Sequence, residues 1–124
     1  MSSPANHIKI LICEDDPGIL EVVGIALDAA GFSHVGHDSL EGLEGRIVTE
    51  NPDLVLLDLH LGGASEKMTL ERLKFLKERP DSHPRIVLMS AHAKLGEIAK
   101  EYNVDCLPKP FGLDELSAAI WRNL

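Results

Sequence analysis

Three apolar runs in this 124-residue chain each end in polar side chains. Pro52-Asp53-Leu54-Val55-Leu56-Leu57-Asp58 closes on a carboxylate, Ile8-Lys9-Ile10-Leu11-Ile12-Cys13 runs into Glu14-Asp15-Asp16, and Arg85-Ile86-Val87-Leu88-Met89 runs into Ser90. A short, nearly all-apolar run bounded by turn residues is what a strand buried on both faces of a parallel sheet requires. Ligands of open parallel sheets bind beyond the carboxyl ends of the strands, so Glu14, Asp15, Asp58 and Ser90 are expected to converge. Carboxylates brought together repel unless a cation neutralises them. An all-oxygen set with few protein ligands suits Mg²⁺, which keeps several waters and shares its shell with phosphoryl oxygens. Lys109, between Pro108 and Pro110, adds a compact positive charge. The Ser90 hydroxyl can donate to a phosphoryl oxygen, and Ala91 beside it leaves room for that group. Such a set can neutralise a phosphoryl group transferred in line onto a carboxylate oxygen, which is mainly positioning and electrostatics. Asp58 is the expected acceptor.

The elements that must position these residues alternate. Pro17 can open a helix, Asp16 before it reads as its cap, and Ile19, Val22, Val23, Ala26, Leu27 and Ala30 form an apolar stripe that Gly31 ends. Phe32 to His37 is a weaker strand, and Leu40, Leu43 and Ile47 mark a short helix that stops before Asn51-Pro52. After the loop through Gly62-Gly63, a helix carrying Leu70, Leu73 and Leu76 finishes around Arg79-Pro80. Lys94 to Tyr102 is a short helix and Val104 to Leu107 a short strand. Leu113, Leu116, Ile120 and Leu124 space the face of a last helix, whose first turn places Asp114 and Glu115 at the positive end of its dipole. Five β-α pairs with right-handed crossovers give a doubly wound α/β fold, a parallel sheet covered by helices on both faces.

Composition narrows the partners. The chain is long enough for one domain with a full core, a unit over residues 8–124 after a short tail at 1–7, and leaves no room for a second module within these residues. A net charge of −8, with scattered basic residues, disfavours nucleic acid and anionic membrane. No apolar run approaches the roughly 20 residues that span a bilayer, and the first residues resemble no signal peptide, so a cytoplasmic protein is expected. Cys13 and Cys106 read as reduced thiols of buried strands. His7, His34, His37 and His83 show no metal-ligand spacing and read as surface or loop residues.

Four segments, Ile10-Leu11-Ile12-Cys13-Glu14-Asp15-Asp16-Pro17, Pro52 to Leu59, Met89-Ser90-Ala91 and Leu107-Pro108-Lys109-Pro110-Phe111, occur in an order that resembles the response-regulator receiver domains (CheY-like) of two-component phosphorelay signalling. The resemblance covers about His7 to Leu124. It implies a five-stranded sheet of order 2-1-3-4-5, the doubly wound order for which a member of this family is a standing example. It implies that Asp58 is the phosphoacceptor, that Glu14, Asp15 and Asp58 hold Mg²⁺ with the backbone carbonyl of His60, and that Ser90 and Lys109 contact the phosphoryl group. It implies a phosphohistidine donor on a sensor histidine kinase or a histidine phosphotransfer protein, an unknown downstream protein target, and a signalling domain that assists its own phosphorylation and dephosphorylation. It also implies a cis Lys109-Pro110 bond. His60 and His92, each two residues beyond a site residue, occupy positions that with Ala91 tune phosphoryl lifetime in the family.

Three features depart from the family pattern. Cys106 stands where most receivers carry the switch Tyr or Phe, the Ser90 to Lys109 stretch is a few residues short, and the loop after Asp58 lacks the common proline. These departures keep open a second reading, a phosphorylation-independent pseudo-receiver that docks constitutively. A haloacid-dehalogenase-type phosphatase would need a second acid two residues after Asp58, where His60 stands.

Overall fold

The computed structural model describes residues 7–79 and 84–124. Most of the expected tail, the expected helix end at Pro80, and His83 lie outside the described residues. Five strands, β1 (Lys9–Cys13), β2 (Ser33–His37), β3 (Leu54–Asp58), β4 (Arg85–Ser90) and β5 (Asp105–Pro108), alternate with five helices, α1 (Pro17–Ala30), α2 (Leu43–Glu50), α3 (Glu66–Lys77), α4 (Leu95–Glu101) and α5 (Leu113–Arg122). The strands pair in parallel in the order β2-β1-β3-β4-β5, the expected doubly wound fold.

Strand alternation sorts the core into two layers. Leu11, Cys13, Val55, Leu57 and Leu88 face Leu43, Ile47, Leu73, Leu76 and Leu95 of α2, α3 and α4. Ile10, Ile12, Leu54, Leu56, Val87 and Met89 face Val23 and Leu27 of α1 and Leu116, Ala119 and Ile120 of α5. Every residue of β3 is buried, so truncating Leu56 to Ala would cost about 2–5 kcal/mol. This interior fixes where β3 ends and hence where Asp58 emerges.

Local chemistry sets the helix boundaries. The Asp16 side chain accepts from the backbone N–H groups of Gly18 (2.8 Å) and Ile19 (3.2 Å), confirming it as the α1 cap, and Gly31 ends that helix at φ 85°. Ser65 caps α3 by accepting from Met68 N at 3.1 Å. In the loop after Asp58, Gly62 has φ 62°, and a Cβ there would lie 2.9 Å from the Asp38 carbonyl, so only glycine lets this loop pack on the β2–α2 connection.

Some helix faces differ from the expected stripes. In α1 the buried residues are Val23, Gly24 and Leu27, whereas Val22 and Ala30 face solvent. Leu113 (61% exposed) and Leu124 lie off the α5 core face, which is Leu116, Ala119 and Ile120. Trp121 instead rests on Phe32 with ring centroids 5.3 Å apart. Helix α3 ends at Lys77, and the Lys77 ammonium donates to the carbonyls of Tyr102 (2.7 Å) and Asn103 (2.9 Å) just beyond α4. His34 and His37 do have local partners: Asp28 Oδ1 and the Glu41 carbonyl, each at 2.8 Å.

Candidate functional site

Glu14 follows β1, and its backbone N–H donates to the His37 carbonyl at 3.1 Å, continuing the β1–β2 ladder for one residue. That bond turns the Glu14 side chain inward, where it is 1% exposed. Its Oε2 accepts from Asp15 N (3.0 Å) and Asp16 N (3.3 Å), and its Oε1 accepts from Lys109 Nζ (2.5 Å). Asp58 is the last residue of β3, with Oδ1 accepting from His60 N at 2.9 Å and Oδ2 from Lys109 Nζ at 3.1 Å. Lys109 is placed by its backbone N–H, which donates to the Ser90 carbonyl at 2.9 Å, and its bond to Pro110 is cis, as the resemblance implies. One ammonium therefore bridges acids delivered by β1 and β3.

The carboxylates of Glu14, Asp15 and Asp58 each place an oxygen within 4.8 Å of the others. Asp15 is exposed, Glu14 and Asp58 buried, so the cluster has a closed floor and an open side. Burial pushes the Glu14 carboxyl above its ordinary range, and the neighbouring Asp58 adds to this, outweighing Lys109 and the Asp16 N–H. For Asp58 burial also works upward, but hydrogen bonds from Glu14 and His60 N–H, with the charge and hydrogen bond of Lys109, bring it net below the ordinary value. Burial disfavours the Lys109 ammonium, yet the two acids raise its pKa overall. The His60 N–H and the Lys109 ammonium thus favour the ionised form of Asp58, which a nucleophilic oxygen needs.

Ser90 is buried at the end of β4 beside the Asp58 strand end, since Asp58 pairs with Met89. Its Oγ accepts from His92 N at 3.0 Å. Ala91 is exposed. His60 is exposed directly after Asp58, and its carbonyl accepts from Gly63 N at 3.2 Å, leaving one lone pair for another partner. His92 is half-buried, and its ring faces α3: Nδ1 accepts from Lys94 N (2.9 Å), and Nε2 lies 3.3 Å from Glu66 Oε2. The tie to Glu66 joins the start of α3 to the β4–α4 loop, far apart in sequence, and had no local sign.

Cys106 is only half-buried, because β5 is an edge strand. Like Ile98, Tyr102 and Val104, it packs against the core layer formed with α2, α3 and α4. Burial and the adjacent Asp105 raise its thiol pKa, and burial does the same for Cys13, so neither is an activated nucleophile.

A model of the response regulator receiver domain family matches residues 10–121. The chain belongs to that family. It is 32% identical over 116 residues to the DNA-binding transcriptional regulator NtrC of Klebsiella pneumoniae, covering 90% of this chain but 24% of the relative. It is 32% identical over 121 residues to sporulation initiation phosphotransferase F of Bacillus subtilis, covering 94% of this chain and 93% of the relative. A CheY-like receiver domain from Methylobacillus flagellatus superposes with a TM-score of 0.79 at 25% identity, over 94% of this chain and 98% of that one. CheY4 of Vibrio cholerae, 17% identical, gives 0.80 over 94% and 98% and shares the fold. Receiver domains are signalling modules that interact with histidine kinases or phosphotransfer proteins and typically hold Mg²⁺ through acidic residues. The expectation of no direct nucleic-acid binding is not supported for a longer protein containing these residues, since NtrC, of which the chain matches a quarter, is named as DNA-binding. No helix among the described residues is long and apolar enough to cross a membrane.

Proposed function

We propose that Asp58 accepts a phosphoryl group from a phosphohistidine of a kinase or phosphotransfer protein. In this reading Glu14, Asp15, Asp58 and the His60 carbonyl hold one Mg²⁺, a hard cation that neutralises charge on the transferred group. The observation that supports it best is the Lys109 ammonium between Glu14 and Asp58, beside a three-carboxylate cluster of matching size. Asp58 Oδ1 is held by His60 N–H and Oδ2 by Lys109, so the carboxylate is oriented before any donor arrives. Lys109 then has charge to give to the incoming phosphoryl oxygens, and the Ser90 hydroxyl, whose proton is not spent on His92 N–H, can donate to them. The same donors remain near the phosphoaspartate while water attacks it.

Incubation with acetyl phosphate and Mg²⁺, followed by intact mass, tests this. The chain is expected to gain one phosphoryl group and Asp58→Asn none. Labelling that persists in Asp58→Asn places the acceptor elsewhere. No labelling of the folded wild type, with small donor or cognate phosphohistidine, would return the chain to phosphorylation-independent docking.

A further inference from the structure

The outer face of α3 is unused by the site or the core. Met68 and Phe75, one heptad apart, are 56% and 57% exposed. They border a groove of about 350 Å³ whose other walls are Leu40, Glu44, Glu71 and Arg72. Arg72 stiffens that groove by donating to the Leu40 carbonyl (2.8 Å) and pairing with Glu44 (3.0 Å). Beside the apolar pair runs an exposed row, Lys67, Glu71, Lys74 and Glu78, spaced four, three and four residues apart. Such a row is usually a solvated face braced by its own i,i+4 pairs. Here Lys precedes Glu in both i,i+4 steps, the weaker order, and no ion pair within the chain is formed by any of the four among the described residues.

A row of alternating sign with an even number of members is its own complement when read backwards. Laid antiparallel on a second α3, it sets Lys67 against Glu78 of the second copy and Glu71 against Lys74. In that register Met68 lies two residues, about 3 Å along the axis, off the level of Phe75 of the second copy, within reach of these long side chains, and a two-fold axis makes each contact occur twice. We propose that this face is a self-association surface whose occupant is a second copy of this chain, seated antiparallel on α3. The apolar pair supplies the attraction, and the charge row selects the antiparallel register.

Sedimentation equilibrium of the purified chain over a concentration series tests this with two row variants. One variant, Glu71→Lys with Glu78→Lys, carries an all-positive row; the other, Lys67→Glu with Lys74→Glu, an all-negative one. All four positions are exposed, so circular dichroism should show both variants folded. Each alone is expected to weaken self-association by about tenfold or more, and an equimolar mixture to recover a heterodimer of near wild-type affinity. Phe75→Ser is expected to weaken it irrespective of salt, whereas the row contribution should fade as salt rises. A wild type that stays monomeric throughout the series overturns the proposal and leaves the face to another protein. Self-association that the row variants and Phe75→Ser leave intact overturns it equally, as does a mixture that fails to recover binding.

Discussion

The Lys109 ammonium lies 3.1 Å from Asp58 Oδ2 while donating to Glu14 Oε1 at 2.5 Å, so a single cation joins the ends of β1, β3 and β5. In the metal-free protein this contact counters the repulsion of the two buried acids.

Removing that cation should therefore cost more than removing the acceptor. Lys109→Ala is expected to lower metal-free stability by about 1–3 kcal/mol, because two desolvated carboxylates lose their partner. Asp58→Asn removes one acid and is expected to unfold at wild-type urea concentrations or higher. Urea titrations in EDTA compare the two; a Lys109→Ala midpoint equal to wild type would show that the ammonium does not hold the acids.

Mg²⁺ should act as a linked ligand of the folded chain. At about one hundred times its dissociation constant, stabilisation of about 2.7 kcal/mol is expected over the EDTA-treated protein. Asp15→Asn should remove most of it with little effect on metal-free stability, since Asp15 is the exposed member of the cluster. A thermal-shift series across Mg²⁺ concentration reads this, and an equal response in Asp15→Asn would exclude that carboxylate as a ligand.

A second acid, far from the site, sets a pH dependence. Asp105 accepts from Arg122 Nε (2.6 Å), Asn123 Nδ2 (2.8 Å) and Cys106 N (2.8 Å), tying the end of α5 to β5. Burial works against its charge, but the Arg122, Asn123 and Cys106 contacts prevail and hold its pKa below the ordinary aspartate value. An acid depressed in the folded state contributes stability above its unfolded value and loses it as pH falls through its folded value. Because Arg122 is mostly exposed, Asp105→Asn should cost only about 0.5–1 kcal/mol at pH 7. The gap from wild type should close on acidification; a gap that stays constant down to acid unfolding would mean Asp105 acts through packing alone.

Where local rules and long-range contacts agree, the sequence was legible. The Asp16 cap, the Gly31 stop and the polar endings of β1, β3 and β4 each follow from a residue type and its immediate neighbours, and they carry the acids and Ser90 of the site. What could not be read depends on distant partners. Leu113 and Leu124 continue the α5 period on paper, but the sheet beneath reaches only Leu116, Ala119 and Ile120, and Trp121 turns to Phe32. Cys106 looks like a core residue because its neighbours are apolar, yet β5 pairs on one side only. The Glu66 contact of His92 needs α3 and the β4–α4 loop to meet, which no short window encodes.

The last prediction concerns how a signal would leave the site. A Tyr or Phe in place of Cys106 could swing between inward and outward rotamers as Ser90 moved, coupling the site to the surface. Cys106 is too small for that; it is half-buried against the core layer of α2, α3 and α4, and Leu88 pairs with it across β4–β5. The Ser90 loop, by contrast, is held by contacts that can be exchanged. Ser90 Oγ accepts from His92 N, His92 Nδ1 accepts from Lys94 N, and the ring reaches Glu66 at 3.3 Å. A phosphoryl oxygen that draws the Ser90 hydroxyl toward Asp58 would pull on this chain and load the His92–Glu66 contact, so the response should appear from Ser90 through α4. Hydrogen exchange with and without beryllofluoride is expected to change more over residues 90–100 than over residues 104–107. Glu66→Gln should raise exchange of the Ser90 loop in the unmodified protein, because it weakens the tie to α3. A largest change at Val104 to Leu107, with the Ser90 loop silent, would instead assign the signal to β5.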